Sequence, residues 1–162
     1  AGYSKALHKY RINKTTDLAL QIITDLQTFL DKQGKLATSY NYDTGQLVDM
    51  GAIGCQKINS TRCISPLGKL DVECTNTTYP GGRCALEFYF DSPSKVEKCI
   101  SFLSTDWAKS ISNPRLFTWK TNTSVYLLND DKKSYTSTEI VSACRQVCDD
   151  DNHSCSVVMS FY

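Results

Sequence analysis

The chain has 162 residues, of which 41% are hydrophobic and 22% charged, a composition typical of one globular domain with a core of its own. Eighteen Lys and Arg residues nearly balance seventeen Asp and Glu residues, so the net charge is +1. This balance excludes a broad electrostatic footprint for nucleic acid or an anionic membrane, and only a local patch could bind either. We therefore predict one domain over residues 1–162 and no nucleic-acid partner.

The chain begins with a pattern typical of one long amphipathic helix, over about residues 3–33. Apolar residues recur there at helical spacing, and they are Ile12, Ala19, Ile22, Ile23, Leu26, Phe29 and Leu30. Polar residues such as Asp17 and Gln21 occupy the opposite face. At a rise of about 1.5 Å per residue the helix would be about 42 Å long. Gly34 is its expected C-terminal stop.

The middle of the chain changes from a loop-like composition to a strand pattern. Residues 34–68 are rich in Ser, Thr, Asn, Gly and Asp, with one short apolar segment at 47–53, which predicts a long, partly irregular connection. A disulfide between Cys55 and Cys63 could pin it. Residues 70–74 and 84–90 then predict two strands of a hairpin. The polar turn 75–83 joins them, and Cys74 and Cys84 can close its ends.

The second half of the chain predicts one short helix followed by strands. Ser94 and Glu97 have the spacing of a capping box, which indicates a helix start. The apolar face of this helix is expected to comprise Val96, Ile100, Leu103 and Trp107. After Pro114, residues 115–120, 124–129 and 154–162 have strand character.

The cysteines indicate an exported protein. They form an even set of eight, as a disulfide framework requires and a reducing cytosol would not keep: Cys55, Cys63, Cys74, Cys84, Cys99, Cys144, Cys148 and Cys155. Zinc is the competing interpretation. The sequence contains no Cys-x2-Cys pair, however, so the spacing departs from that of common zinc ligands.

Five segments, in their order along the chain, resemble a known family. They are QLVDMGAI at 46–53, SPLGKLDV at 65–72, LEFYFDSP at 86–93, VSAC at 141–144 and SVVMSFY at 156–162. This series resembles type IVb pilins, most closely those of plasmid-type or conjugation-associated thin pili. The resemblance implies the α+β pilin fold, in which a long N-terminal helix packs on an antiparallel sheet and a disulfide bounds the C-terminal region. It also implies an apolar helical half before residue 1, which would be the membrane contact of the precursor.

The resemblance also implies a disulfide pattern. Cys99 and Cys144 correspond to the pair that bounds the variable C-terminal region of these pilins. Sequence-local pairing of the other cysteines would then give Cys55–Cys63, Cys74–Cys84 and Cys148–Cys155. Eight cysteines allow many other connectivities, so this map is a hypothesis.

Residues with catalytic or metal-binding chemistry are sparse. His8 and His153 are the two histidines, and no recognisable catalytic motif accompanies them, so we predict neither an enzyme nor a cofactor. Asp149, Asp150 and Asp151 form an oxygen-rich turn, which makes them a calcium candidate. A simple solvated turn is the alternative.

The function implied by the resemblance is structural. The chain would polymerise through its N-terminal helix into a surface filament used for adhesion, aggregation or conjugative mating contact. Its partners would be other pilin subunits, the pilus assembly machinery and a host-cell or bacterial surface receptor. The filament would be extracellular, with the precursor in the bacterial inner membrane and its head in the periplasm. Within residues 112–138, Trp119, Tyr126 and Tyr135 are the candidate partner contacts, although aromatic residues at strand spacing are also common in cores.

Two other functions stay open. The first is a minor pilin or a type II secretion pseudopilin, which would share the fold but serve a different assembly. The second is a eukaryotic secreted, disulfide-rich binding glycoprotein. The cysteine density suits it, and so do five N-glycosylation sequons, which begin at Asn13, Asn59, Asn76, Asn122 and Asn152.

Overall fold

The computed structural model describes residues 2–33, 39–77 and 82–161, which form five helices and eight strands. Their order is α1 (Gly2–Gln33), β1 (Asn41–Tyr42), α2 (Thr44–Asp49), β2 (Gln56–Lys57), β3 (Cys63–Ser65), β4 (Gly68–Thr75), β5 (Arg83–Tyr89), α3 (Lys95–Leu103), α4 (Trp107–Ser110), β6 (Arg115–Lys120), β7 (Thr123–Leu128), α5 (Ser137–Cys148) and β8 (Ser156–Phe161). The chain is therefore α+β, with a long N-terminal helix and an antiparallel sheet, as predicted.

The sheet is antiparallel at every pairing and has the order β2-β3-β4-β5-β8-β6-β7, with β1 pairing to β4. β8 lies between β5 and β6, so Met159 is opposite Leu86 on one side and Leu116 on the other. The strands predicted over 70–74, 84–90, 115–120, 124–129 and 154–162 correspond to β4, β5, β6, β7 and β8. Residue 162 and turn residues 78–81 lie outside the described residues.

α1 confirms the predicted helix and its apolar stripe. Ala19, Ile22, Ile23, Leu26, Phe29 and Leu30 are buried, and Ile12 is half-buried. Most residues before position 12 are exposed, with Leu7 and His8 half-buried, so the helix enters the core only about a third of the way along its length. The expected stop at Gly34 lies outside the described residues.

The core lies between one face of the sheet and helices α1, α3 and α5. Burial alternates along β4 and β5, as it does in a sheet covered on one side. The ring centroid of Phe102 in α3 lies 4.9 Å from that of Phe88 in β5 and 5.0 Å from that of Trp107 in α4. These fully buried rings join the short helices to the sheet.

Residues 34–68 contain more regular structure than the expected irregular connection. α2 begins with a capping box, in which the side chain of Asp43 accepts from the Gln46 backbone and the Gln46 side chain accepts from Asp43. β1, β2 and β3 belong to the sheet itself. The sequence carries no clear signal for these elements because each spans six residues or fewer.

The predicted start of α3 is confirmed, since Ser94 is its N-cap residue, but the predicted capping box and apolar face are wrong. Ser94 has a φ of 63° and makes no side-chain capping bond, so the Ser94–Glu97 capping box is absent. The buried face comprises Lys95, Cys99, Phe102 and Leu103, while Val96 and Ile100 are half-buried. On this buried face the Lys95 amine donates to the carbonyl oxygens of Asp150 and His153, at 2.7 and 2.8 Å.

α5 was not predicted. It begins with a capping box between Thr136 and Glu139, and its buried face comprises Ile140, Ala143, Cys144, Val147 and Cys148. The spacing of Thr136 and Glu139, followed by apolar residues three, four and seven positions apart, is the sequence signal that would have identified it.

Four disulfides join the elements, and they are the four pairs considered above: Cys55–Cys63, Cys74–Cys84, Cys99–Cys144 and Cys148–Cys155. Cys74–Cys84 links two directly opposed residues of β4 and β5. Cys99–Cys144 links α3 to α5 under the sheet, and Cys148–Cys155 closes the turn between α5 and β8.

The long-range disulfide should contribute most to stability. Cys99–Cys144 joins residues 45 apart in sequence, whereas Cys55–Cys63 joins residues 8 apart. Loop-closure entropy predicts that the double substitution Cys99→Ala with Cys144→Ala lowers the free energy of unfolding by about 4 kcal/mol, against about 2.5 kcal/mol for Cys55→Ala with Cys63→Ala. Denaturant unfolding of both variants measures the difference, and equal losses would contradict it.

Gly45 in α2 should not tolerate a side chain. Its backbone N–H donates to the Ser60 carbonyl oxygen at 2.9 Å, and an added Cβ would collide with that same carbonyl group. We expect Gly45→Ala to lower the free energy of unfolding by about 2 kcal/mol, although helix propensity alone favours Ala. Gly54→Ala is the matched control because nothing lies within 4 Å of its added Cβ. Comparable midpoints of urea unfolding for the two variants would refute the prediction.

Candidate functional site: the uncovered face of the sheet

The face of the sheet opposite the helices is the candidate functional site, and we call it the open face. Side chains that point away from the core along β4, β5, β6 and β8 form it, and most are half-buried or exposed. They include Lys69, Asp71, Glu73, Glu87, Tyr89, Phe117, Trp119 and Val158. The face has a charged half around β4 and β5 and an aromatic half around β6 and β7.

Glu87 lies at the centre of the charged half. Tyr89 donates its hydroxyl to Oε1 of Glu87 at 2.9 Å, and Ser156 donates its hydroxyl to Oε2 at 2.6 Å. Arg62 lies 3.1 Å from the Asp71 carboxylate, measured from Nε to Oδ1, and its guanidinium stacks 5.0 Å from the Tyr89 ring centroid. Residues from four segments of the chain thus form one connected polar cluster.

The electrostatics of this cluster disfavour the ionised form of Asp71. Asp71 and Glu87 are directly opposite each other on β4 and β5, an arrangement in which like charges repel. Burial raises the pKa of Asp71 above its ordinary value, and Glu87 adds to this rise, whereas Arg62 opposes it. Burial, together with the charge of Glu87, also raises the pKa of Tyr89, so its phenol stays a hydrogen-bond donor. The sequence analysis did not identify this cluster.

A shallow depression adjoins the charged half at the β4 edge. Its lining includes four carboxylates, those of Asp43, Asp71, Glu73 and Glu87. Polar residues of β1, α2 and the β2–β3 turn complete the rim: Asn41, Gln46 and Thr61. Because no Lys or Arg is among the described residues that line it, the depression is acidic.

The aromatic half contains two of the three predicted contact residues. Phe117 on β6 is opposite Tyr126 on β7, with ring centroids 4.8 Å apart, and a β-bulge precedes Phe117. Tyr126 is 47% exposed. Trp119 lies two residues after Phe117 on the same strand, so it shares this face. Trp119 and Tyr126, both predicted from the sequence as partner contacts, therefore lie on the same face of the β6–β7 hairpin.

Tyr135 has a different environment from the other two. Its hydroxyl contacts the carbonyl oxygens of Leu103 and Thr105, at 3.0 and 2.8 Å, and accepts from the Trp107 backbone N–H at 3.4 Å. Burial raises its pKa to about 12. Its hydroxyl thus holds the loop between α3 and α4, while the side chain is half-buried, so its role as a partner contact stays a prediction.

The acidic turn at Asp149, Asp150 and Asp151 does not assemble a metal site. The Asp150 carboxylate accepts from the Asn152 backbone N–H at 2.8 Å and lies 2.6 Å from Nδ1 of His153. The hydrogen bond from Asn152, together with the contact to His153, lowers the pKa of Asp150. Over residues 2–33, 39–77 and 82–161, no group of three or more His, Cys, Asp or Glu side chains is placed to hold a metal ion, so calcium at this turn is unsupported.

No family model, curated protein or solved structure matches this chain. Of the helices in the described part of the chain, none is long and apolar enough to cross a bilayer. Function is therefore inferred from the residues and their geometry.

The raised pKa of Asp71 predicts the direction in which the stability of the protein changes with pH. Its folded-state pKa is above the ordinary value, so the folded state holds this proton more tightly than the unfolded state. Protonated Asp71 therefore stabilises the folded state below the ordinary Asp pKa, and this stabilisation is lost as pH rises through the pKa of Asp71 in the folded state. Asp71→Asn should therefore match the wild type in acid and gain stability relative to it at neutral pH.

Asp130→Asn is the matched control with the opposite sign. The hydrogen bond and charge of Arg115 lower the Asp130 pKa, so the folded carboxylate is the favoured form. This variant should lose stability relative to the wild type as pH rises. Urea unfolding at about pH 3 and about pH 7 measures both differences. The same pH trend in both variants would contradict the assignment.

Proposed function

We propose that this chain is the head domain of a filament subunit of the type IV pilin class. The observation that carries the proposal is the half-embedded helix α1. Its residues 2–6 are exposed, whereas Ala19, Ile22 and Leu26 are fully buried against the head. A spine of this kind holds the head at one end and offers the other end to neighbouring subunits.

Contacts with an external partner would stabilise the exposed turns of α1. The helix has 32 residues and a length of about 48 Å, well beyond the part that the core covers. Tyr3 and Tyr10 are 80% and 57% exposed and lie seven residues apart, hence on one side of the helix. Helical turns without packing partners are marginal in water, so contacts from neighbouring subunits would stabilise this segment.

The head has features that suit a subunit exposed outside the cell. Four disulfides tie its loops to its core elements, and such bonds persist in oxidising compartments. The open face presents Trp119 and Tyr126 beside charged residues. Aromatic residues of this type are common anchors of protein interfaces, so we assign adhesion or partner recognition to this half of the face.

The pseudopilin and minor-pilin alternatives share this geometry and differ only in the filament that the subunit joins. A secreted binding glycoprotein is the other candidate, and one observation favours it. Four of the five sequon asparagines are exposed: Asn13, Asn59, Asn122 and Asn152. Glycans at these positions would be accessible, but a glycan at Asn13 would lie on the helical spine and obstruct subunit packing.

The test is electron microscopy and mass spectrometry of the protein from its natural producer. Antibody raised against the head should label surface filaments, and gene deletion should remove them. The mature N-terminus should be an N-methylated apolar segment continuous with α1, with four disulfides and no N-glycans. A signal-peptidase N-terminus with glycans at Asn59 or Asn122, and no labelled filament, would overturn the pilin proposal in favour of the secreted glycoprotein.

A further inference from the structure

The exposed part of α1 is strongly basic. Residues 2–14 contain Lys5, Lys9, Arg11 and Lys14, all exposed, and no Asp or Glu occurs before Asp17. None of these four cations takes part in the ion pairs found among the described residues. Lys5 and Lys9 are also four residues apart, a spacing at which like charges on a helix repel. We call residues 2–14 the basic segment.

The acidic depression is the complementary surface. Glu73 is exposed on β4, and the Asp71–Glu87 pair lies beside it. Arg62 pairs with Asp71, and the four carboxylates lie in a lining that contains no Lys or Arg among the described residues. A cationic partner would relieve the repulsion between Asp71 and Glu87.

One copy of the chain cannot bring these two surfaces together. His8, within the basic segment, lies 3.2 Å from the Ser101 hydroxyl of α3, measured from Nε2 to Oγ. The segment is therefore held on the helical side of the sheet. Asp71, Glu73 and Glu87 point away from the core on the opposite side. Contact between the two surfaces requires a second copy.

We propose that the basic segment of one copy docks on the acidic depression of a second copy. This inference rests on the proposed function, since it assigns the electrostatic contact between filament subunits. The contact joins two different surfaces, so it is heterologous. After one contact, one copy still has a free acidic depression and the other a free basic segment, so repetition gives an open filament or a ring instead of a closed dimer. The charges set the register and the rate of association, and salt weakens both.

Charge reversal tests the contact on the 162-residue chain by sedimentation equilibrium. Lys5→Glu with Lys9→Glu reverses two of the four charges of the basic segment, and Glu73→Lys reverses one of the four carboxylates of the depression. Lys5, Lys9 and Glu73 are all exposed, and position 5 lies in the first turn of α1, where negative charge favours the helix, so both variants should fold. Circular dichroism checks this. Lys109→Glu on α4 is the matched control, since its side chain is 86% exposed and belongs to neither surface.

We expect the wild type to self-associate and each reversal to weaken association by about tenfold. The triple variant, which combines the reversed charges of both surfaces, should regain most of the wild-type affinity, and Lys109→Glu should change nothing. High salt should weaken the wild type in the same way as either reversal. A monomeric wild type, or reversals no stronger than Lys109→Glu, would overturn the docking inference.

The same variants in the producing cell separate this inference from the proposed function. Loss of filaments in both reversals and their return in the triple variant would support the docking. Filaments of normal number in both reversals would overturn the docking and leave the filament proposal standing. Absence of wild-type filaments that contain the chain would overturn the proposed function itself.

Discussion

The position of β8 between β5 and β6 is the constraint on which the rest of the structure depends. β8 pairs along its length with both neighbours, and its removal would leave two smaller sheets with unpaired edges. Val157, Met159 and Phe161 on this strand are buried under the helices. Two disulfides act at the same junction, because Cys99–Cys144 fixes α5 to α3 and Cys148–Cys155 connects α5 to the residue before β8.

The division of the sheet into a covered and an open face follows from the pleat. Residues two apart share a face, so the apolar set of β4 and β5 packs under α1 and α3 while the intervening residues form the charged half of the open face. This explains why recognition chemistry and core packing use the same strands without conflict. Changes at Glu73 or Tyr126 leave the buried face untouched, whereas changes at Leu70 or Phe88 would not.

Much of the fold could be predicted from the sequence, since periodic segments carry their own signal. The helical spacing of Ile22 and Leu26 and the alternation around Leu86 and Phe88 identified α1 and β5. The structure differs where long-range contacts decide the outcome. The buried face of α3 includes Lys95, whose amine bonds to a distant turn, and no local pattern contains that contact. α5 is the exception, since its local capping signal was present.

The site was predictable only where its residues are close in the sequence. Trp119 and Tyr126 belong to neighbouring strands of one hairpin, so their chemistry could be recognised together. The charged cluster could not, because Arg62, Glu87 and Ser156 come from distant parts of the chain and meet only through strand order. The hydrogen bonds of Tyr135 could not be predicted for a related reason, as its backbone partners lie about 30 residues earlier in the chain.

The late position of β8 in the chain has a consequence for biosynthesis. Strands β1 to β5 and the β6–β7 hairpin are made first, yet they cannot join into one sheet until residues 156–161 have emerged. During synthesis the inner edges of both groups are therefore open to wrong pairing, the hazard of folds dominated by distant contacts. A nascent chain of this protein is best kept from folding until its last strand is available, so we expect truncation before residue 156 to give aggregation instead of a smaller folded domain.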